Sequence, residues 1–317
     1  MDNESENNVI SIRTRKPLGA YINCEVIPDE VPQKRKSNKG KKSLLPSYEW
    51  EFKPRFRRSA FGWKSHPAIT RIKQAVTEIK KVAKKDPVIA AEGAVILLER
   101  LSSAIEQVDG SSGSIGSAVN NAIRELVPLI ADADADPAVR NNWLERLWDA
   151  IDQDDIPYIE NLGDHWGELC ASKELASKWA DEMMNAVRLA FSERGGFFKG
   201  SSACLSALVF AERFDDLWQL LEAERHKMWH YQQFGSMALV KQGKISEAIE
   251  FAEGCGGLND GLSVASTCEQ LLLEAGRYEE AYERYAHVVN GENSYLATYR
   301  RIPRSIRQLG LREYWMI

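Results

Sequence analysis

The side chains able to do chemistry are few and scattered. His226 and His230 in "HKMWH" stand four apart, the spacing at which two imidazoles on one helix share a metal ion. A zinc hydrolase needs Glu after the first His as general base, and Lys227 stands there instead, so His226 reads as a surface residue. "DHWGELC" brings Asp164, His165 and Cys170 together, but His165 and Cys170 are badly phased for one helix face, and the Asp-His step has no Ser nearby in sequence. "DADAD" sets Asp132, Asp134 and Asp136 at the first, third and fifth positions of a calcium loop, yet Pro137 replaces the Gly at the sixth and Trp143 the Glu at the twelfth. That stretch is a polar turn ending in a helix cap. "DGSSGSIGS" (109–117) and "GGFFKGSS" (195–202) put glycines ahead of helices, where an anion can bind, but neither has the spacing of a dinucleotide or P-loop motif. Both read as interhelical turns. The chain is expected to be no enzyme and to carry no metal and no cofactor.

Composition points the same way. The five cysteines are an odd number without CxxC spacing in a 317-residue chain long enough to bury a core unaided, so they read as small reduced hydrophobes. No apolar run approaches the roughly 20 residues that cross a bilayer, and "MDNESENNVI" lacks the pattern of a secretory leader, so a cytoplasmic location is expected. Nine tryptophans are many. Trp143, Trp148, Trp166, Trp179, Trp218 and Trp229 fall in helical patterns and are expected to pack between helices, whereas Trp50 and Trp63 sit apart from them.

Charge is unevenly divided. Residues 1–64 hold 14 Lys and Arg against 8 Asp and Glu, which leaves a net −11 on the remainder of a chain whose total is −5. Four prolines within 1–48 and the run "KRKSNKGKK" make this a largely disordered basic arm, and "YEWEFKPRFRRSAFGWK" interleaves aromatic and basic residues as a docking segment would. Lys53, Arg55, Arg57, Arg58 and Lys64 can meet phosphates, with Phe56, Phe61 or Trp63 stacking on bases. The alternative is that these aromatics pack on the first helices.

From Ser65 onward the pattern is helical. Ala68, Ile69, Ile72, Ala75, Val76, Ile79 and Val82 follow one apolar face, and Asp86-Pro87 stops that helix and starts a strongly apolar partner over 88–108. Helices are predicted at about 115–131, after Asp136-Pro137, and over 157–171 and 173–193. The expected fold is all-α, an α-solenoid of about twelve antiparallel helices in pairs: an arm (1–64), a helical-hairpin region (65–194) and a repeat region (195–317).

In that last region "ALVKQGKISEAIEFA" (238–252) recurs as "LLLEAGRYEEAYERY" (271–285), with Gly243 and Ala248 matched 33 residues later by Gly276 and Ala281. A degenerate copy, "ALVFAERFDDLWQLL", precedes them with Glu212 at the turn. A period of about 33 with two short amphipathic helices marks stacked repeats, none of which buries its apolar face alone. These residues resemble the tetratricopeptide (TPR) helix-turn-helix motif, with Gln232 and Ala265 where its Trp stands. More widely, "WKSHPAITRIKQAVTEIKKVAKKDPVIAAEGAVILLERLSSAIEQVDGSSGSIG" and "IPYIENLGDHWGELCASKELASKWAD" are similar to an uncharacterised family of bacterial helical-repeat proteins, a likeness that implies a fold and no activity.

The TPR resemblance implies a groove lined by the first helix of each repeat. That set is Lys199, Ser202, Ser206 and Phe210, then His230, Gln233, Met237 and Lys241, then Ser266, Gln270 and Glu274. The expected function is a non-catalytic cytosolic scaffold binding a protein or peptide; the alternative is a nucleic-acid-associated protein acting through 34–64. At the C-terminus Gly310 falls at the next expected turn, 34 residues after Gly276, with an apolar "EYWMI" beyond it. The expectation is a repeat shortened there or covered by a partner.

Overall fold

The computed structural model describes residues 42–192, 196–255, 261–291 and 294–314, and among them every regular element is helical. The disorder expected for 1–41, Cys24 and the end of "EYWMI" lie outside the described residues. The chain runs α1 (Ser65–Ala83), α2 (Pro87–Ile105), α3 (Ser114–Ala131), α4 (Pro137–Asp152), a 3-10 turn (Glu160–His165), α5 (Trp166–Cys170) and α6 (Lys173–Phe191). It continues with α7 (Ser201–Phe210), α8 (Phe214–Ala223), α9 (Trp229–Lys241), α10 (Ile245–Gly254), α11 (Gly261–Glu274) and α12 (Tyr278–Ala281). A π-turn (Tyr282–Ala286) leads into α13 (His287–Val289), then α14 (Tyr295–Arg301) and α15 (Arg304–Tyr314).

The Asp-Pro signals act as the sequence predicts. Asp86 Oδ1 accepts from the Ile89 N–H (2.9 Å) and Asp136 Oδ1 from the Ala138 N–H (2.8 Å), each capping a helix whose first residue is Pro. The helix expected over 157–171 is instead a 3-10 turn and the short α5, and Gly310 lies inside α15, so the next turn is not there. Hydrogen bonds to a side chain accompany the first difference. Asp154 draws the chain into a loop by accepting from the Ile159 N–H (2.9 Å) and the Ser102 hydroxyl.

Packing is between neighbours: α1 against α2 and α3, α2 against α4, α3 and α4 against α5, α6 and α9 against α7, α9 against α10, α10 against α11. One large apolar cluster runs from Trp50 to Ala238, and a second joins Trp229 to α10, α11, the π-turn and Ile306. Two buried guanidiniums tie the first half. Arg146 gives both ends of its fork to Glu99 (2.8 and 2.7 Å) and a third N–H to Glu92 Oε1 (2.7 Å), while Trp143 Nε1 donates to Glu92 Oε2 (2.7 Å). Burial opposes its charge, but the Glu99 and Glu92 contacts outweigh that and hold the Arg146 guanidinium above its ordinary range. Arg140 donates to the carbonyls of Ile130 (2.9 Å), Leu169 (3.2 Å) and Ala131 (3.3 Å) and to that of Ala133, satisfying the open end of α3 and fastening α5 to it.

The three turns of the repeat region share one geometry. Glu212, Gly243 and Gly276 all have left-handed φ (60°, 77° and 72°). The following N–H of Arg213, Lys244 and Arg277 reaches back to Leu208, Leu239 and Leu272 (3.0, 2.9 and 2.8 Å), the bond that ends a helix on a left-handed residue. Each of those basic residues then pairs with an acid three positions on: Asp216 (2.7 Å), Glu247 (3.7 Å) and Glu280 (2.5 Å). The degenerate copy thus makes the same turn with a Glu, in a conformation that costs a residue with a Cβ roughly 1–2 kcal/mol.

Segment 42–64 does not hang free. Trp50, Phe52, Phe56 and Phe61 are buried in the main core, stacked as a chain of rings 5.1–6.0 Å apart. The stacking role considered for Phe56 and Phe61 is therefore excluded by burial, and of that trio only Trp63 stays open, 71% exposed. Gly93 makes room: a Cβ there would stand 2.2 Å from the Trp50 ring. Gly93→Ala should therefore destabilise by about 1–3 kcal/mol through overpacking, against a helix propensity that alone predicts a gain of about 1 kcal/mol. A urea midpoint that rises would show that Trp50 does not sit on α2.

Candidate functional site

α7 is apolar on every side and nine of its ten residues are buried, so other elements must cover it completely. The 3-10 turn and α5 lie on one side, α6 on another, α8 and α9 on the rest. Its few hydroxyls must then find partners inside the protein. Ser206 donates to the Asp164 carbonyl (2.8 Å) and accepts from the Gly167 N–H (3.0 Å). Gly167 is required at this contact, since a Cβ would come 2.5 Å from the Ser206 carbonyl oxygen and from Phe210 Cβ. Ser202 bonds His230 Nε2 at 2.9 Å.

Around that last bond the fold assembles a polar cluster. Asp164 and Glu160 come from the 3-10 turn, Ser202 from α7, and His230 and Tyr231 from α9. Asp164 Oδ1 is buried without a hydrogen-bond partner. Burial pushes the Asp164 carboxyl above its ordinary range, against the opposing pull of His230, Ser202 and His165. Burial raises Glu160 likewise, with His230 and Lys199 opposing and Asp154 and Asp164 adding to it. Tyr231 stacks on Phe191 with centroids 4.9 Å apart, which fixes the start of α9 over α6.

Asp164, Ser202 and His230 are the residue types of a hydrolytic triad, but the order of contacts differs. In a triad the carboxylate accepts from the imidazole and so fixes its tautomer. Here no hydrogen bond joins Asp164 to His230 among the described residues, and Ser202 is only 5% exposed. The arrangement leaves a buried carboxyl oxygen of Asp164 able to accept a donor, with His230 open to solvent in the same cluster.

Each residue predicted to line the groove now has a place, and of the predicted phosphate contacts Lys53 is half-buried while Arg55, Arg57, Arg58 and Lys64 are exposed. Lys199 is spent inside: its ammonium donates to the carbonyls of Ile151 (3.2 Å), Asp152 (3.0 Å) and Asp154 (2.7 Å), closing the end of α4. Ser206 and most of the Ser202 surface are covered by the 3-10 turn and α5, so the groove inferred along α7 is filled by the protein's own chain. Phe210 is half-buried under Lys241, whose Nζ lies 4.9 Å from its ring centre. His230, Met237 and Lys241 are exposed on α9 with Gln233 half-buried among them, and Ser266, Gln270 and Glu274 are exposed on α11. Gln270 donates to Glu274 (2.8 Å) and Gln233 to the His230 carbonyl (2.8 Å).

His226 precedes α9, so it shares no helix with His230, and among the described residues no cluster of metal-ligating side chains forms. Cys170 and Cys204 are buried, with their thiols pushed up to about 12 by burial, and are inert as nucleophiles. No helix among the described residues is long and apolar enough to cross a membrane. Asp164 was missed as a site residue because its partners, Ser202 and His230, lie 38 and 66 residues away. The available signal was three serines, Ser201, Ser202 and Ser206, on an otherwise apolar α7. Comparison with known protein families, curated proteins and solved structures finds no match in any of the three.

The raised carboxyl fixes a sign. Asp164 binds its proton more tightly folded than unfolded, so it costs stability above its folded pKa, and that cost disappears as pH falls below the ordinary carboxylate range. Asp164→Asn, which copies the neutral form, should melt higher than the parent at pH 7.5, and the gap should close by about pH 3.5. A variant that melts lower at pH 7.5 would mean that the carboxylate is satisfied after all.

Proposed function

We propose that this chain is a non-catalytic helical-repeat scaffold, an α-solenoid with TPR-like units from α7 onward, that holds a protein or peptide partner on the exposed faces of α9 and α11. The observation that carries the reading is the recurrence of one turn at Glu212, Gly243 and Gly276, each left-handed and each followed by a basic residue paired three positions on. Repeating a turn at a near-constant spacing repeats the direction in which the first helix of each unit presents its outer side chains. The units beginning at α9 and α11 leave those side chains in water, whereas α5 covers them on α7.

The face so formed is mixed: imidazole, amide, thioether and ammonium on α9, hydroxyl, amide and carboxylate on α11. An extended or helical peptide with its own polar groups fits it better than a purely apolar one. Burial holds the exposed Lys241 ammonium below its ordinary range, with Lys173 adding to this and Glu212 opposing it. A cytoplasmic address accords with the free cysteines, and the reading requires no cofactor.

Affinity purification of tagged full-length chain, with and without nuclease, followed by mass spectrometry, identifies the partner. Met237→Asp combined with Lys241→Glu should then weaken that complex about 5- to 30-fold, the effect of 1–2 kcal/mol, with helicity and melting temperature unchanged. Unchanged affinity would place the interface elsewhere.

A further inference from the structure

At the opposite end of the chain the outer surface is strongly cationic. Residues 53–85 contain eleven Lys and Arg and a single acid, Glu78. Glu78 is committed: its two oxygens accept the N–H groups of Glu51 (2.8 Å) and Phe52 (3.1 Å). This bond, the donation of Arg100 to the Phe56 carbonyl (3.3 Å) and that of Ser59 N–H to Ser103 (2.8 Å) lay segment 51–63 along the first hairpin, running from the middle of α1 to the end of α2. The Asp109 N–H bonds the Trp63 carbonyl (2.9 Å) and fixes the far end.

Two rows of cations result. Arg55, Arg57 and Arg58 are exposed on the segment; Lys73 and Lys80 are exposed two turns apart on one face of α1, with Lys81 beside them and Lys84 one turn further at its C-cap. Two of them meet acids, Lys80 with Glu125 (2.9 Å) and Arg58 with Glu106 (3.4 Å). The apolar side of α1 is turned inward, with Ala68, Ile72, Ala75, Val76 and Ile79 buried. Beside the start of α1 stands Trp63, 71% exposed on a backbone held from below.

We infer that this face binds single-stranded nucleic acid, with the lysines and arginines of 53–85 on its phosphates and Trp63 stacked on an unpaired base. Cations repeating at helical spacing follow a polyanion, and a rigidly held, solvent-exposed indole is the part that a stacking platform needs. A duplex offers Trp63 no open base. An anionic bilayer is matched less well, because Thr70, Lys73, Gln74, Thr77, Lys80, Lys81 and Lys84 give the outer side of α1 nothing apolar to insert. This surface lies on different helices from the α9 and α11 face, so the two readings stand or fall separately.

The test is fluorescence anisotropy of the full chain with labelled 20-mers of deoxythymidine or uridine, across a series of salt concentrations. Affinity should fall with salt at a slope of about 0.7 per phosphate neutralised. Trp63→Ala should lower affinity about 5- to 100-fold at fixed salt. Lys73→Gln with Lys81→Gln and Lys84→Gln should reduce the slope by about 2 while the circular dichroism spectrum stays unchanged. No binding at about 50 mM salt, a slope indifferent to the triple variant, or an affinity indifferent to Trp63→Ala would each overturn the proposal. So would tighter binding to phosphatidylserine vesicles than to the oligonucleotides, which would assign the face to membranes.

Discussion

The rest of the structure is arranged around a helix that cannot touch water. Ten residues of α7, apolar on every side, need partners all round, and the chain supplies them from five elements before and after it. Burial of that many apolar side chains offsets the regular helix not formed over 157–165, and the loop ahead of the 3-10 turn is held by Asp154 and Lys199. The cost of burying α7 falls on its hydroxyls. Ser202 and Ser206 must be satisfied from the covering elements, and this requirement brings Asp164 and His230 to one place.

The first half solves a related problem with charge. Glu92 and Arg146 lie in the main core, where neither would remain alone, and Glu99 and Trp143 complete their hydrogen bonding. A pair of this kind is weak evidence of stability, since breaking it costs several kcal/mol but replacing it with apolar residues often costs nothing. Its effect is on register: a bidentate fork accepts one rotation of α4 against α2. Arg140 does the same for α3, α4 and α5 through carbonyls alone.

Charge at the surface separates the molecule into unlike ends. The cationic rows of 53–85 stand on α1 and the segment beside it, while the α9 and α11 faces mix polar groups of both signs. The two surfaces lie on different helices, and one apolar cluster, from Trp50 to Ala238, joins the helices that carry the first to α9.

What the sequence by itself determined is local. The Asp-Pro caps, the apolar stripe of α1, the turn glycines Gly243 and Gly276 and the charge run of the arm depend on residues within a few positions of one another, and local physics is written in order along the chain. Glu212 was legible only as a mismatch, because a left-handed Glu is held there by its neighbours and not by its own preference. Tertiary structure alone decided the rest. It put Trp50 into the gap left by Gly93, removed Lys199 and Ser206 from any groove by wrapping 160–170 over α7, and met Ser202 with His230. Those contacts join residues from 28 to 48 positions apart, where the outcome is set by which faces must leave water together and not by any spacing in the chain.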